Sequence, residues 1–183
     1  MRLGVAHHFG WAVAVTASAD HQVVDRRRIQ LIEPGMPTAP IHHEGKPLDD
    51  AAAAVLVSEV RASAIRATSA SLDELAAELP EPLVSMSLRA WPADFPVDIA
   101  VQRRTPYEAQ ADSVMYRQVL ADVADARGWA VHLFDARDVE GRAAAVLGER
   151  AHEVLHGPRA ALGPPWTKDH RMALAATVLA ATK

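Results

Sequence analysis

The first 33 residues carry three apolar segments whose links are too short for a helical crossover. The segments are residues 3–6, 10–17 and 22–33; Ala and Val alternate in the second from Trp11 to Val15, and the third alternates in part between apolar and polar side chains. His7, His8, Phe9 and Gly10 turn the chain once, and Asp20 and His21 turn it again. Parallel neighbours in a sheet need a connection of about a dozen residues or more, whereas antiparallel ones can be joined by a tight turn. The segment therefore predicts a three-stranded antiparallel meander.

The remainder alternates helix and strand signals. Residues 34–47 are rich in Pro and Gly and read as a loop. Asp49 and Asp50 open an Ala-rich helix expected to run to Thr68, and Ser71 with Glu74 fits the capping box of a second short helix ending before Pro80. Residues 83–88 read as a fourth strand and 99–102 as a strand extension. Thr105, Pro106 and Glu108 fit an N-cap, a first-turn proline and a capping-box acid, so a helix is expected from there to Gly128. A fifth strand follows at 129–134. Helix is expected at 138–147 and 149–162, broken at Gly157-Pro158, with Thr167 capping a last helix.

The 183 residues suit a single domain spanning 1–183. Half of them are apolar but only 5% aromatic, so the core rests on Val, Leu, Ile and Ala with four Trp. A net charge of −4 gives no bulk attraction to nucleic acid or anionic membrane and leaves room only for a local basic patch. The absence of cysteine removes disulfides, thiolate metal sites and Cys nucleophiles and fits a cytoplasmic location. Met1-Arg2, the apolar stretch and Ala17-Ser18-Ala19 imitate a short signal peptide, but His7, His8 and Gly10 interrupt the run, which reads better as strands. No apolar run reaches the ~18 residues of a membrane span. There is no P-loop, no dinucleotide-binding Gly motif and no G-x-S-x-G around Ser85 or Ser87.

Leu3-Gly4-Val5 with Gly10-Trp11-Ala12-Val13 resembles the first strand, and the start of the second, of the RuvC resolvase branch of the ribonuclease H-like proteins. Residues 111–127 with Gly128-Trp129-Ala130-Val131 resemble that branch's central helix and next strand, and 168–175 resemble its final helix. The resemblance implies an α/β, ribonuclease H-like domain: an antiparallel meander extended by parallel strands, with helices on both faces. It also implies a nuclease-like, nucleic-acid-associated activity. Such nucleases hold Mg²⁺ or Mn²⁺ on acids from the first strand, the end of the fourth and the last helix. Here Ala6 or His7 takes the first position, residues 83–88 hold no acid, and on the last helix Asp169 matches while Met172 replaces a second acid. The expected site is therefore degenerate or altered.

The same layout brings the start of the last helix toward the end of the first strand. His7, Asp169 and His170 then become catalytic candidates. His7, His8, Asp169 and His170 become candidate ligands for a divalent ion, with imidazole favouring Zn²⁺ or Mn²⁺ over Mg²⁺. Lys168 and Arg171 could hold a phosphate beside it. Asp169 also suits a helix N-terminus, and His170 could simply assist the cap. Arg103, Arg104 and Arg117 flank Glu108 and Asp112 as a second phosphate or partner site, the alternative being capping and a solvated face. Arg26, Arg27 and Arg28 suit either a phosphate backbone or a charged strand edge. His42, His43 and Glu44 sit on a loop where adjacent imidazoles diverge. His152-Glu153-Val154-Leu155-His156 matches the zinc-hydrolase pattern H-E-x-x-H but lacks a third ligand. Three functions stay open: a nucleic-acid-binding or protein-interaction domain, which could be a homodimer; a metal-dependent phosphodiesterase or nuclease; and a zinc hydrolase.

Overall fold

Short links do impose the meander. Strands β1 (Arg2–His7), β2 (Trp11–Ala17) and β3 (Val23–Gln30) pair antiparallel in sequence order, with Ala6 opposite Val13 and Val13 opposite Arg28. The segment that imitates a signal peptide is thus sheet. Gly10 sits at φ +78°, and a Cβ there would lie 3.0 Å from the side chains of Ile32 and Thr38, so the turn needs glycine. The structure is a computed structural model that describes residues 1–181.

Two parallel strands extend the meander on its other side. β4 (Ser85–Arg89) pairs with β1, and β5 (Ala130–Phe134) pairs with β4, giving the order β3-β2-β1-β4-β5 in one five-stranded mixed sheet. The crossovers are helices α1 (Asp50–Glu78) and α3 (Glu108–Asp125). A one-turn α2 (Ile99–Gln102) precedes α3. After β5 come α4 (Val139–Leu147), α5 (Ala151–His156), α6 (Pro158–Leu162) and α7 (Lys168–Ala180). No helix among the described residues is long and apolar enough to cross a membrane.

Strand alternation splits the core in two. Leu3, Val5, Met86 and Leu88 point into a cluster with α1 and α3. Ala6, Val13 and Val15 point the other way, into a cluster with α4 and α7. Helices therefore cover both faces. Helix α7 lies very close to the sheet: a Cβ on Gly4 would stand 1.9 Å from the carbonyl oxygen of Ala173, and Ser87 Oγ donates to Ala176 O at 3.2 Å. Ala173, Ala175 and Ala176 on α7 are all buried. Small side chains on α7 and none at Gly4 permit the approach.

Several local expectations are corrected. There is one helix, not two, between residues 50 and 78. Nothing in that stretch is Gly or Pro, and Leu72 and Leu75 extend the buried stripe. Ser71 lies inside the helix and donates its hydroxyl to Gln30 O, tying α1 to β3. Residues 99–102 form helix rather than strand because Asp98 accepts the N–H of Ala100 and caps the turn. Helix α3 begins within two residues of Pro106, but Thr105 does not cap it. Its hydroxyl donates to Glu108 Oε1 at 3.3 Å, and the chain around it turns through Tyr107 N–H to Arg104 O. The 34–47 loop contains a π-helical turn, Pro40–Glu44.

Candidate functional site

Neighbouring residues along a strand point to opposite sides of a sheet, and this decides the fate of His7, which ends β1, and of His8, which follows it. His7 turns toward α3 and His8 toward α7. Arg117 Nη2 donates to Ser113 Oγ at 3.2 Å, and the same hydroxyl is hydrogen-bonded to His7 Nε2, 2.9 Å away. Arg117 also donates to the carbonyls of Ser113 and Ala90, which pins α3 to the end of β4. Burial, then the nearby charges of Arg117, Arg89 and His8, hold the His7 imidazolium down to a pKa of about 3. Burial and Arg89 push the Arg117 guanidinium down to about 10, still charged at neutral pH.

His8 Nε2 lies 3.0 Å from Asp169 Oδ2, in the first turn of α7. The fold thus brings the end of β1 to the start of α7, as the layout implied. His8 stacks on Trp11, with ring centroids 4.1 Å apart and planes 9° from parallel. The guanidinium of Arg28 stands 4.1 Å from the Trp11 ring centroid. The register explains the last contact: Arg28 lies opposite Val13, on the same side of the sheet as Trp11.

The four candidate metal ligands do not converge. His7 is turned away and bonded to Ser113, and His170 closes the cap of its own helix. Thr167 N–H donates to His170 Nδ1 at 3.2 Å, which requires that nitrogen to be a bare acceptor. Burial first, then Arg26, lowers the His170 pKa in keeping with that role. Only the pair His8 and Asp169 remains. Among the described residues no three His, Asp or Glu side chains come together as a metal site. The residues present thus do not fit the two-metal set of the resembling nucleases.

The expected phosphate-binding cations are also dispersed. Arg103 is held by Asp50 and by the carbonyls of Gly45 and Leu48, and Arg104 is the more distant partner of the same Asp50. Arg171 is paired with Glu140 and Arg117 is buried, while Lys168 is exposed at the start of α7. Asp112 is buried and accepts the N–H groups of Ile41 and His42, which holds the π-helical turn. Burial pushes its carboxyl pKa up. His42, His43 and Glu44 lie on that turn, and the two imidazoles meet edge to face. His152 and His156 stack 5.3 Å apart on six-residue α5, with no third ligand among the described residues.

Other cations lie on and beside the sheet, with Arg26 opposite Val15 in mid-β3, Arg28 opposite Val13 and Arg89 ending β4. Arg26, Arg28, Arg89 and Arg117 have no carboxylate partner among the described residues. Arg26 donates instead to the carbonyls of Leu162, Gly163 and Pro165. A cavity of about 480 Å³ lies between Trp11, the three arginines 26–28 and Asp169 with His170. A larger one of about 760 Å³ lies past Trp11 and Arg28 toward α1. Arg89 and Trp11 are not among the residues that the sequence singles out as site candidates. A signal was available: Arg89 ends the fourth strand, where the resembling nucleases carry an acid, and Trp11 opens the second. No protein-family profile matches the chain, and no curated protein is similar to it in sequence.

Proposed function

We propose that this chain is a ribonuclease H-like module that grips nucleic acid at the open end of its sheet and does not cut it by two-metal chemistry. The order β3-β2-β1-β4-β5, with helical crossovers and a closing helix on the opposite face, agrees with the layout implied by the resemblance. In an open α/β sheet, ligands bind beyond the carboxyl ends of the strands where the strand order reverses. Here that place lies between β1 and β4.

The observation that carries the proposal is the inversion of charge there. At the strand ends where a two-metal nuclease holds acids, this chain has the neutral imidazole of His7 and the guanidinium of Arg89, backed by that of Arg117. The remaining acid, Asp169, is taken by His8. Carboxylates recruit cations, which in turn neutralise phosphate; guanidinium groups neutralise phosphate directly. Trp11 and Arg28 add an aromatic and a cationic wall, the pairing used by grooves that track single strands.

The test is fluorescence anisotropy with a labelled single-stranded oligonucleotide. Arg28 and Arg89 are both exposed, so the double variant Arg28→Glu, Arg89→Glu should fold as the parent does. It should bind at least tenfold more weakly. Equal binding by variant and parent, or no binding by the parent at low salt, would contradict the proposal.

A further inference from the structure

The turn from β1 to β2 opens onto the larger cavity, about 760 Å³, which falls in the usual range of small organic ligand sites. Phe9 stands at its mouth, 42% exposed and with no aromatic or cationic partner among the described residues. Ile32, Met36 and Ala67 give the cavity an apolar lining. Arg28 borders both this cavity and the smaller one, so a guanidinium that rests on Trp11 and has no carboxylate partner among the described residues stands at the divide. An apolar recess with an open aromatic ring, next to a cation without a carboxylate, fits one planar apolar group joined to one anion.

Resting on the nucleic-acid function above, we infer that the cavity is a base pocket. One unstacked base lies against Phe9, its phosphate lies on Arg28, and the strand continues past Trp11 toward Arg26. A base stacked within a duplex cannot enter such a recess, so the pocket selects single strands. The same chemistry is offered by a free mononucleotide.

Anisotropy titrations with a short oligothymidylate and with an abasic strand of equal length separate base from phosphate. The base-bearing strand should bind about tenfold more tightly or better, as expected for one stacked base. Phe9→Ala, which removes an exposed ring, and Ala67→Glu, which fills the cavity from a helix, should each abolish that difference. Competition by a mononucleotide would assign the pocket to free nucleotides as well, and its absence to strands alone; both uphold a base pocket. Equal binding of the two strands, or a difference that survives both variants, would overturn the pocket while leaving phosphate binding intact. Failure of both strands to bind would remove the nucleic-acid function itself.

Discussion

His7 and His8 are adjacent in sequence, yet their chemistry differs completely because a strand sends them to opposite faces. Period-two alternation was present in the sequence and rules out the pair as joint ligands. The resemblance implied that Asp169 and His170 approach His7 or His8, and His8 does meet Asp169, whereas the Ser113 partner of His7 was not legible, since it comes from a helix more than a hundred residues away. The consequence for stability has a definite sign. The folded pKa of His7 lies near 3, below the ordinary imidazole value of 6.5, so the unfolded chain takes up a proton first as pH falls. Stability should be full above pH 6.5 and decline progressively below it. His21 and His170 are shifted the same way, burial being the main cause in both, and add to the slope. Chemical denaturation at pH 7 and pH 5 should show a loss of about 1–2 kcal/mol from His7. The His7→Gln variant should show a shallower decline. A variant with the parent's pH slope would rule out His7 as a source.

Element boundaries depended on which backbone groups found partners. At α1 the cap was real and the sequence showed it: Asp49 accepts the N–H of Ala52. At α2 the Asp98 cap lay in a stretch that reads as strand. Where a tertiary bond competed, the local pattern misled. Ser71 carries a capping-box pattern but lies inside a helix and bonds to β3, and Thr105 bonds to the Glu108 side chain. The π-helical turn at 40–44 was unreadable because it depends on Asp112 reaching across from α3. Asp49→Ala should therefore cost about 1 kcal/mol, and Thr105→Ala less than about 0.5 kcal/mol. Urea denaturation of the two variants checks the order; a larger loss for Thr105→Ala would reverse it. Packing of α7 on β1 makes a sharper demand. Gly4→Ala drives a methyl group into the Ala173 carbonyl and should cost about 3 kcal/mol or more, near the upper end of overpacking losses. A melting midpoint within a degree of the parent would show that α7 moves away freely.

At the scale of the whole chain, the sheet was the legible part. Short early links gave the meander, and helical spacing between later strands gave the parallel extension. The site was less legible because it is a matter of which charges lack partners. A net charge of −4 conceals it: Arg27, Arg61, Arg66, Arg103, Arg127 and Arg171 are all paired with acids. Among the described residues Arg26 and Arg28 on β3, Arg89 at the end of β4 and Arg117 on α3 are not. The most direct measurement is binding of a labelled single-stranded oligonucleotide in EDTA across a salt series, followed by addition of Mg²⁺, Mn²⁺ or Zn²⁺. Binding should persist in EDTA, weaken steeply as salt rises through release of counterions, and leave the strand intact after each metal is added. Binding that requires a metal, or cleavage once Mg²⁺ or Mn²⁺ is present, would contradict a phosphate site built from arginine.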